Sequence, residues 1–173
     1  MKKRILTLLL VSVLLLTMMA FTLVSCKKDK DPDTIPPDYA PPPEEEGAED
    51  IEGEEEEKLE VVQNGGAVGL TYSDKITIDL SEKKATLRFD NPSRSVNSVV
   101  LQLKIGDLVV FETGTLAPGK RITSMDVADS VLAKLQAGTY TTATQFHAYF
   151  YDPNTNERAI VHSEIAVTVT VQP

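Results

Sequence analysis

A single cysteine, two histidines and no tryptophan occur in 173 residues. One cysteine excludes a disulfide within the chain and the thiolate-rich zinc sites of small modules. Whatever folds is therefore held by packing and hydrogen bonds. Positive charge is also short: seventeen Lys and Arg stand against twenty-six Asp and Glu, a net charge of −9. The deficit is local. Residues 27–58 hold four basic and fourteen acidic side chains, whereas residues 59–173 hold ten and twelve with no basic cluster. Nothing there could neutralise a run of phosphates, so nucleic acid is not an expected partner. The sequence has no Gly-x-Ser-x-Gly elbow to present a nucleophile. Asp126 and Asp129, three apart, lack the loop of oxygen ligands that calcium sites show. Isolated acids on a small β domain do not supply the cleft-flanking pair of a glycosidase. No enzyme, catalytic residue, cofactor or metal is expected.

What is present begins at the amino end. Lys2-Lys3-Arg4 precedes an uncharged stretch, residues 5–23, dominated by Leu, Val, Ile, Met and Phe, which is the pattern of a secretion signal. The stretch ends in Leu23-Val24-Ser25-Cys26, which resembles the lipobox of bacterial lipoproteins. The resemblance implies that residues 1–25 are a cleaved signal peptide and that Cys26 carries the lipid. Two acyl chains hold a protein where one would not, since each buried methylene contributes about 0.8 kcal/mol. About twenty apolar residues are also long enough to span a bilayer uncleaved. The sole cysteine at the point where charge begins favours the lipid anchor. Either way the expected location is the extracytoplasmic face of a membrane. Lys27-Lys28-Asp29-Lys30-Asp31 resembles surface-export signals of some double-membraned bacteria, and serves equally as a solvated stalk.

Residues 26–63 read as an acidic, proline-rich linker without order of its own. Pro36-Pro37, Pro41-Pro42-Pro43, Glu44-Glu45-Glu46 and Glu54 to Glu57 leave few apolar side chains to offset the entropy of ordering. Fully extended, residues 27–58 would span at most about 100 Å.

Residues 64–173 read as the folded domain. Ile76, Ile78 and Leu80 alternate with polar residues, as do Ala85, Leu87 and Phe89, then Val99, Leu101, Leu103 and Ile105. This period of two marks strands with one buried face. Asp90-Asn91-Pro92, Gly106-Asp107 and Pro118-Gly119 are turn signals. A closing hairpin runs from Tyr140 to Tyr151 and, through Asp152-Pro153-Asn154, from Arg158 to Val171. Only residues 129–136 suggest a helical turn. The expectation is an all-β, antiparallel two-sheet sandwich of seven or eight strands. Ala137-Gly138-Thr139-Tyr140 resembles the tyrosine corner of immunoglobulin-like folds, which implies a phenol bonded back to the preceding loop. Together with Gly65-Gly66, Leu70-Thr71-Tyr72-Ser73, Phe89-Asp90-Asn91-Pro92, Gly114 to Gly119 and Tyr151-Asp152-Pro153, it looks like a group of small exported proteins of clostridia-type bacteria. That resemblance implies an Ig-like fold and a surface location, and no activity.

One face offers a candidate for binding. His147 and His162 fall opposite the core rows on strands expected to pair, with Tyr149, Tyr151 and Glu164 beside them. Thr141, Gln145, Thr168 and Thr170 are expected on the same side, where exposed tyrosines could stack on a sugar or cover a partner. Surface histidines and cross-strand Tyr–Thr pairs also occur simply as sheet surface. The expected role is an interaction or structural module meeting an envelope protein or polysaccharide, with a glycan- or solute-binding accessory protein as the alternative.

Overall fold

The computed structural model describes residues 40–53, 57–61 and 67–173. Cys26, the signal peptide and much of the linker lie outside the described residues. Among the described residues no helix is long and apolar enough to cross a membrane.

The chain forms an all-β sandwich of two sheets. Its strands are β1 (Glu49–Asp50), β2 (Thr71–Tyr72), β3 (Lys75–Asp79), β4 (Lys84–Asn91), β5 (Ser98–Ile105), β6 (Leu108–Glu112) and β7 (Lys120–Asp126). After the one-turn helix α1 (Asp129–Leu132) come β8 (Gly138–Tyr140), β9 (Thr144–Tyr151), β10 (Arg158–Ala166) and β11 (Thr168–Gln172). The larger sheet has seven strands in the order β1-β7-β4-β3-β11-β8, with β2 also paired to β4. The smaller has four, β10-β9-β5-β6. Pairing is antiparallel except for β3 with β11.

The alternating rows become the two inner faces. Ile76, Ile78, Ala85, Leu87, Phe89, Ile122, Val169 and Val171 of the larger sheet meet Val99, Leu101, Leu103, Phe111, Phe146 and Ala148 of the smaller in one core. Phe89 and Phe146 join the layers edge to face, with ring centroids 5.9 Å apart and planes at 72°. Turn chemistry fixes the rims. Gly119 has φ +88°, and Lys120 N–H donates to Ala117 O across Pro118-Gly119 at 3.1 Å, the geometry of a type II turn. Tyr140 Oη both donates to Gln136 O at 2.9 Å and accepts from Gln136 N–H at 3.0 Å, so the phenol ties the strand back to the loop before it.

Two features differ from the sequence expectations. The closing hairpin is four strands, because the chain leaves the larger sheet between β8 and β9 and returns to it between β10 and β11. Val167 stays buried through the second crossing, and its N–H donates to Thr144 O at 3.0 Å. Part of the expected spacer is also held against the sandwich. Pro43 O accepts from Thr115 N–H at 2.8 Å, Glu45 N–H donates to Thr115 O at 3.1 Å, and Ile51 N–H donates to Gly119 O at 2.9 Å. β1 adds to the edge of β7 with Glu49 opposite Arg121 and Asp50 opposite Lys120, and Asp50 pairs with the Lys120 ammonium at 2.8 Å. Further on, Leu59 N–H donates to Arg94 O at 2.8 Å. Acidic composition argues only that side chains cannot build a core. An open strand edge recruits backbone groups, which every residue except proline carries in full.

Candidate functional site

The outer face of the smaller sheet is built by the residues that alternate with its core row. Leu101 and Leu103 point inward on β5, so Val100, Gln102 and Lys104 point outward; Phe146 and Ala148 do the same for Gln145, His147, Tyr149 and Tyr151 on β9. Register then sets the neighbours. Glu112, Gln102, His147 and Glu164 stand opposite one another across β6, β5, β9 and β10. The next row holds Val100, Tyr149 and His162, and the one beyond it Ser98, Tyr151 and Arg158.

His147 is the centre of this face and is 6% exposed, not the surface histidine that alternation suggests. Its ring stacks on His162 with centroids 5.6 Å apart and planes at 14°. Gln145 Nε2 lies 2.6 Å from His147 Nε2. On the other edge of the ring, His147 Nδ1 lies 3.9 Å from Glu164 Oε1, and the same oxygen lies 3.1 Å from His162 Nε2. One ligand-capable atom from each of His147, His162 and Glu164 falls within 4.8 Å of the others. Burial pulls the His147 pKa down, and Lys104 and His162 add to the effect against the opposing pull of Glu164, so the ring favours its neutral form. The Glu164 carboxyl is held below its usual range, chiefly by its hydrogen bond with His162.

Tyr149 separates this cluster from a second one. Its ring centroid is 5.3 Å from that of His162, and the Arg158 guanidinium carbon sits 4.1 Å above the ring. The Tyr149 hydroxyl donates to Gln102 Oε1 at 3.3 Å, and Gln102 Nε2 in turn donates to the Glu112 carboxylate. Tyr151 is 6% exposed, so the structure corrects the expectation of two exposed tyrosines: burial pushes its phenol pKa up, and its neighbour across the pair is Arg158. Between the tyrosines and β5 lies a recess of about 470 Å³ lined by Ala40, Val100, Gln102, Glu112, Tyr149, Tyr151 and Arg158.

The structure therefore brings His147, Tyr149, Tyr151, His162 and Glu164 onto one face. It does not bring Thr141, Thr168 or Thr170 there. Thr168 and Thr170 belong to β11 of the other sheet, opposite Lys75 and Thr77, and Thr141 lies in the crossing between sheets. Gln102, Lys104 and Glu112 belong to the face although the sequence does not single them out; their alternation with Leu101, Leu103 and Phe111 carries the signal. Arg158 was visible only as a strand start. Its place follows from a register shift between Arg158 and His162, where two extra residues bulge from β10 and leave Ile160 and Val161 exposed.

The arrangement comprises a polar and aromatic face, a recess of about 470 Å³ and a histidine–carboxylate cluster, groups that can offer hydrogen bonds, ring surface and lone pairs. It defines a two-sheet sandwich whose smaller sheet carries a built outer surface. No protein-family model and no curated protein matches the chain.

Proposed function

We propose that this chain is a lipid-anchored, non-catalytic module of a bacterial cell envelope, an Ig-like sandwich held outside the membrane by acyl chains on Cys26. It meets a protein or polysaccharide partner through the outer face of its smaller sheet. The observation that carries the reading is that the only cysteine stands at the end of Leu23-Val24-Ser25-Cys26, directly after the apolar run. The face around His147 supports the second half, because a cross-strand set of Tyr, Arg, Gln and His offers hydrogen bonds and ring surface without a nucleophile. Intact mass and membrane fractionation of the native chain and Cys26→Ala, expressed in a bacterial host, test the anchor. The native chain should sediment with membranes and begin at a Cys26 that carries a lipid-sized mass increase, and the variant should lose both. A variant that stays in the membrane with residues 1–25 retained overturns the lipid anchor in favour of a spanning one.

A second reading, a glycan- or solute-binding accessory lipoprotein, is favoured by the recess that Tyr149, Tyr151, Gln102 and Arg158 help to line. Aromatic side chains beside amide and guanidinium groups suit the mixed apolar and hydroxyl surface of a sugar. A glycan array followed by thermal shift tests this second reading. A specific sugar should raise the melting temperature of the native chain and leave Tyr149→Ala unmoved; an array without a hit leaves the macromolecular partner as the reading that stands.

A further inference from the structure

We propose that His147, His162 and Glu164 form a binding site for a divalent transition-metal ion of the zinc class on the outer face of the smaller sheet. This goes beyond envelope display, since it gives one cluster on that face a ligand of its own.

Three observations converge. The first is donor type and spacing: two imidazoles and one carboxylate, with ligand-capable atoms all within 4.8 Å. Zinc binds nitrogen at 2.0–2.1 Å and carboxylate oxygen at about 2.0–2.2 Å, so its ligands lie roughly 3.3 Å apart in a tetrahedral set. His162 Nε2 and Glu164 Oε1 already stand at 3.1 Å, while His147 Nδ1 and Glu164 Oε1 at 3.9 Å need a closure of about half an ångström. His162 and Glu164 are the exposed members of the set, so these outer ligands make the adjustment, the His162 ring turning out of its stack on His147 to aim its nitrogen at the ion. Two nitrogen donors select zinc, copper or nickel over calcium and magnesium, which take oxygen.

The second is that the inner ligand is held by its neighbours. His147 is 6% exposed and bonded at Nε2 by the Gln145 side chain. A metal-bound histidine commonly donates its other N–H to such a partner, which fixes the tautomer. In the structure the Gln145 amide nitrogen faces His147 Nε2 and can only donate, which places the neutral ring's proton on Nδ1. A half-turn of that amide gives up its hydrogen bond to Glu164, whose carboxylate then turns to the ion, and presents the amide oxygen to His147 instead. The ring proton then moves to Nε2 and donates to Gln145, leaving the Nδ1 lone pair to the ion. The ring releases no proton overall, and its charge stays at zero.

The third is charge. Imidazole ligates in its neutral form and a carboxyl in its ionised form. His162 Nε2 is hydrogen-bonded to Glu164 Oε1 at 3.1 Å, so the proton on that nitrogen passes through solvent to Nδ1 of the same exposed ring when Nε2 takes the ion. With both imidazoles as neutral ligands, the carboxylate sets one negative charge against a dication. Arg158 keeps its own position over Tyr149, one row away.

The test uses the full chain in detergent, without a polyhistidine tag, stripped with chelator and titrated with zinc against a chromophoric competitor. Bound metal is counted by mass spectrometry. One zinc per chain is expected, and His162→Ala should show none at the concentration that saturates the native protein. Gln145→Ala should weaken binding by about tenfold or more through loss of the partner to His147. His162 and Glu164 are exposed, so neither His162→Ala nor Glu164→Gln should lower the melting temperature in chelator; only the native chain should gain on adding zinc. Zinc bound equally by the native chain, His162→Ala and Glu164→Gln belongs to the glutamate run and overturns the proposal, as does the absence of stoichiometric binding.

Discussion

Two buried polar residues at the end of β4 show how much depends on single side chains. Asp90 is 3% exposed, yet Arg121 reaches it at 2.8 and 3.0 Å and Arg88 at 2.9 Å. Burial pushes the carboxyl pKa up, but the hydrogen bonds and charges of Arg121 and Arg88 outweigh it, and the net shift is downward. The unfolded chain therefore binds a proton at a higher pH than the folded one. The stability this group contributes is complete above its unfolded pKa, near 3.9, and is lost as pH falls through the lower folded value. Asp90→Asn should show a shallower loss of stability between about pH 4 and pH 2 than the native chain, measured by urea unfolding at each pH. Next to it, the fully buried Asn91 donates from Nδ2 to Asn97 O at 3.1 Å and Leu116 O at 3.0 Å. Asn91→Ala leaves both carbonyls without that donor, and urea unfolding should show a loss of about 2–4 kcal/mol.

At the level of the element, the segment from Pro42 to Ile51 behaves as an added strand although its composition is that of a spacer. Its seat depends on Gly114. A Cβ there would lie 2.7 Å from both Pro43 O and Glu45 N, contacts that no side chain tolerates without moving the backbone. Gly114 N–H also donates to the Glu45 carboxylate at 2.6 Å. Gly114→Val should release the segment while the sheets remain, seen as fast amide exchange at Glu45 and Ile51 with protection of Leu101 and Phe146 unchanged. Alternation made the faces of the long strands legible: Ile76, Phe89 and Leu103 point where period two puts them, and so do His147 and His162. It could not reveal the sheet crossing at Val167, because Ile165, Val167, Val169 and Val171 keep one rhythm through it and a strand that changes partner keeps its inward side. Nor could it reveal that His147 is buried, since an outward residue on a central strand is covered by its cross-strand neighbours, and those depend on register.

At the scale of the whole molecule, stability rests on the joint between sheets, because a chain with one cysteine has no internal disulfide. Phe89 and Phe146 are both fully buried and meet at that joint. Phe89→Ala and Phe146→Ala should each cost about 3–5 kcal/mol. The double variant should cost less than their sum by about 0.5–1.5 kcal/mol, the part that belongs to the ring pair itself, as a double-mutant cycle of denaturant midpoints would measure. Such losses are a large share of what one domain of this size possesses.

The seated segment also bears on mechanics. If the amino end is fixed and a force acts on the domain, tension arrives first at Pro42 to Ile51, held by a few hydrogen bonds and the Asp50–Lys120 pair. Those give way before two interlocked sheets do. Peeling ten residues at about 3.3 Å each adds roughly 30 Å of slack, so a sudden load is met by lengthening while the core and its outer face stay intact.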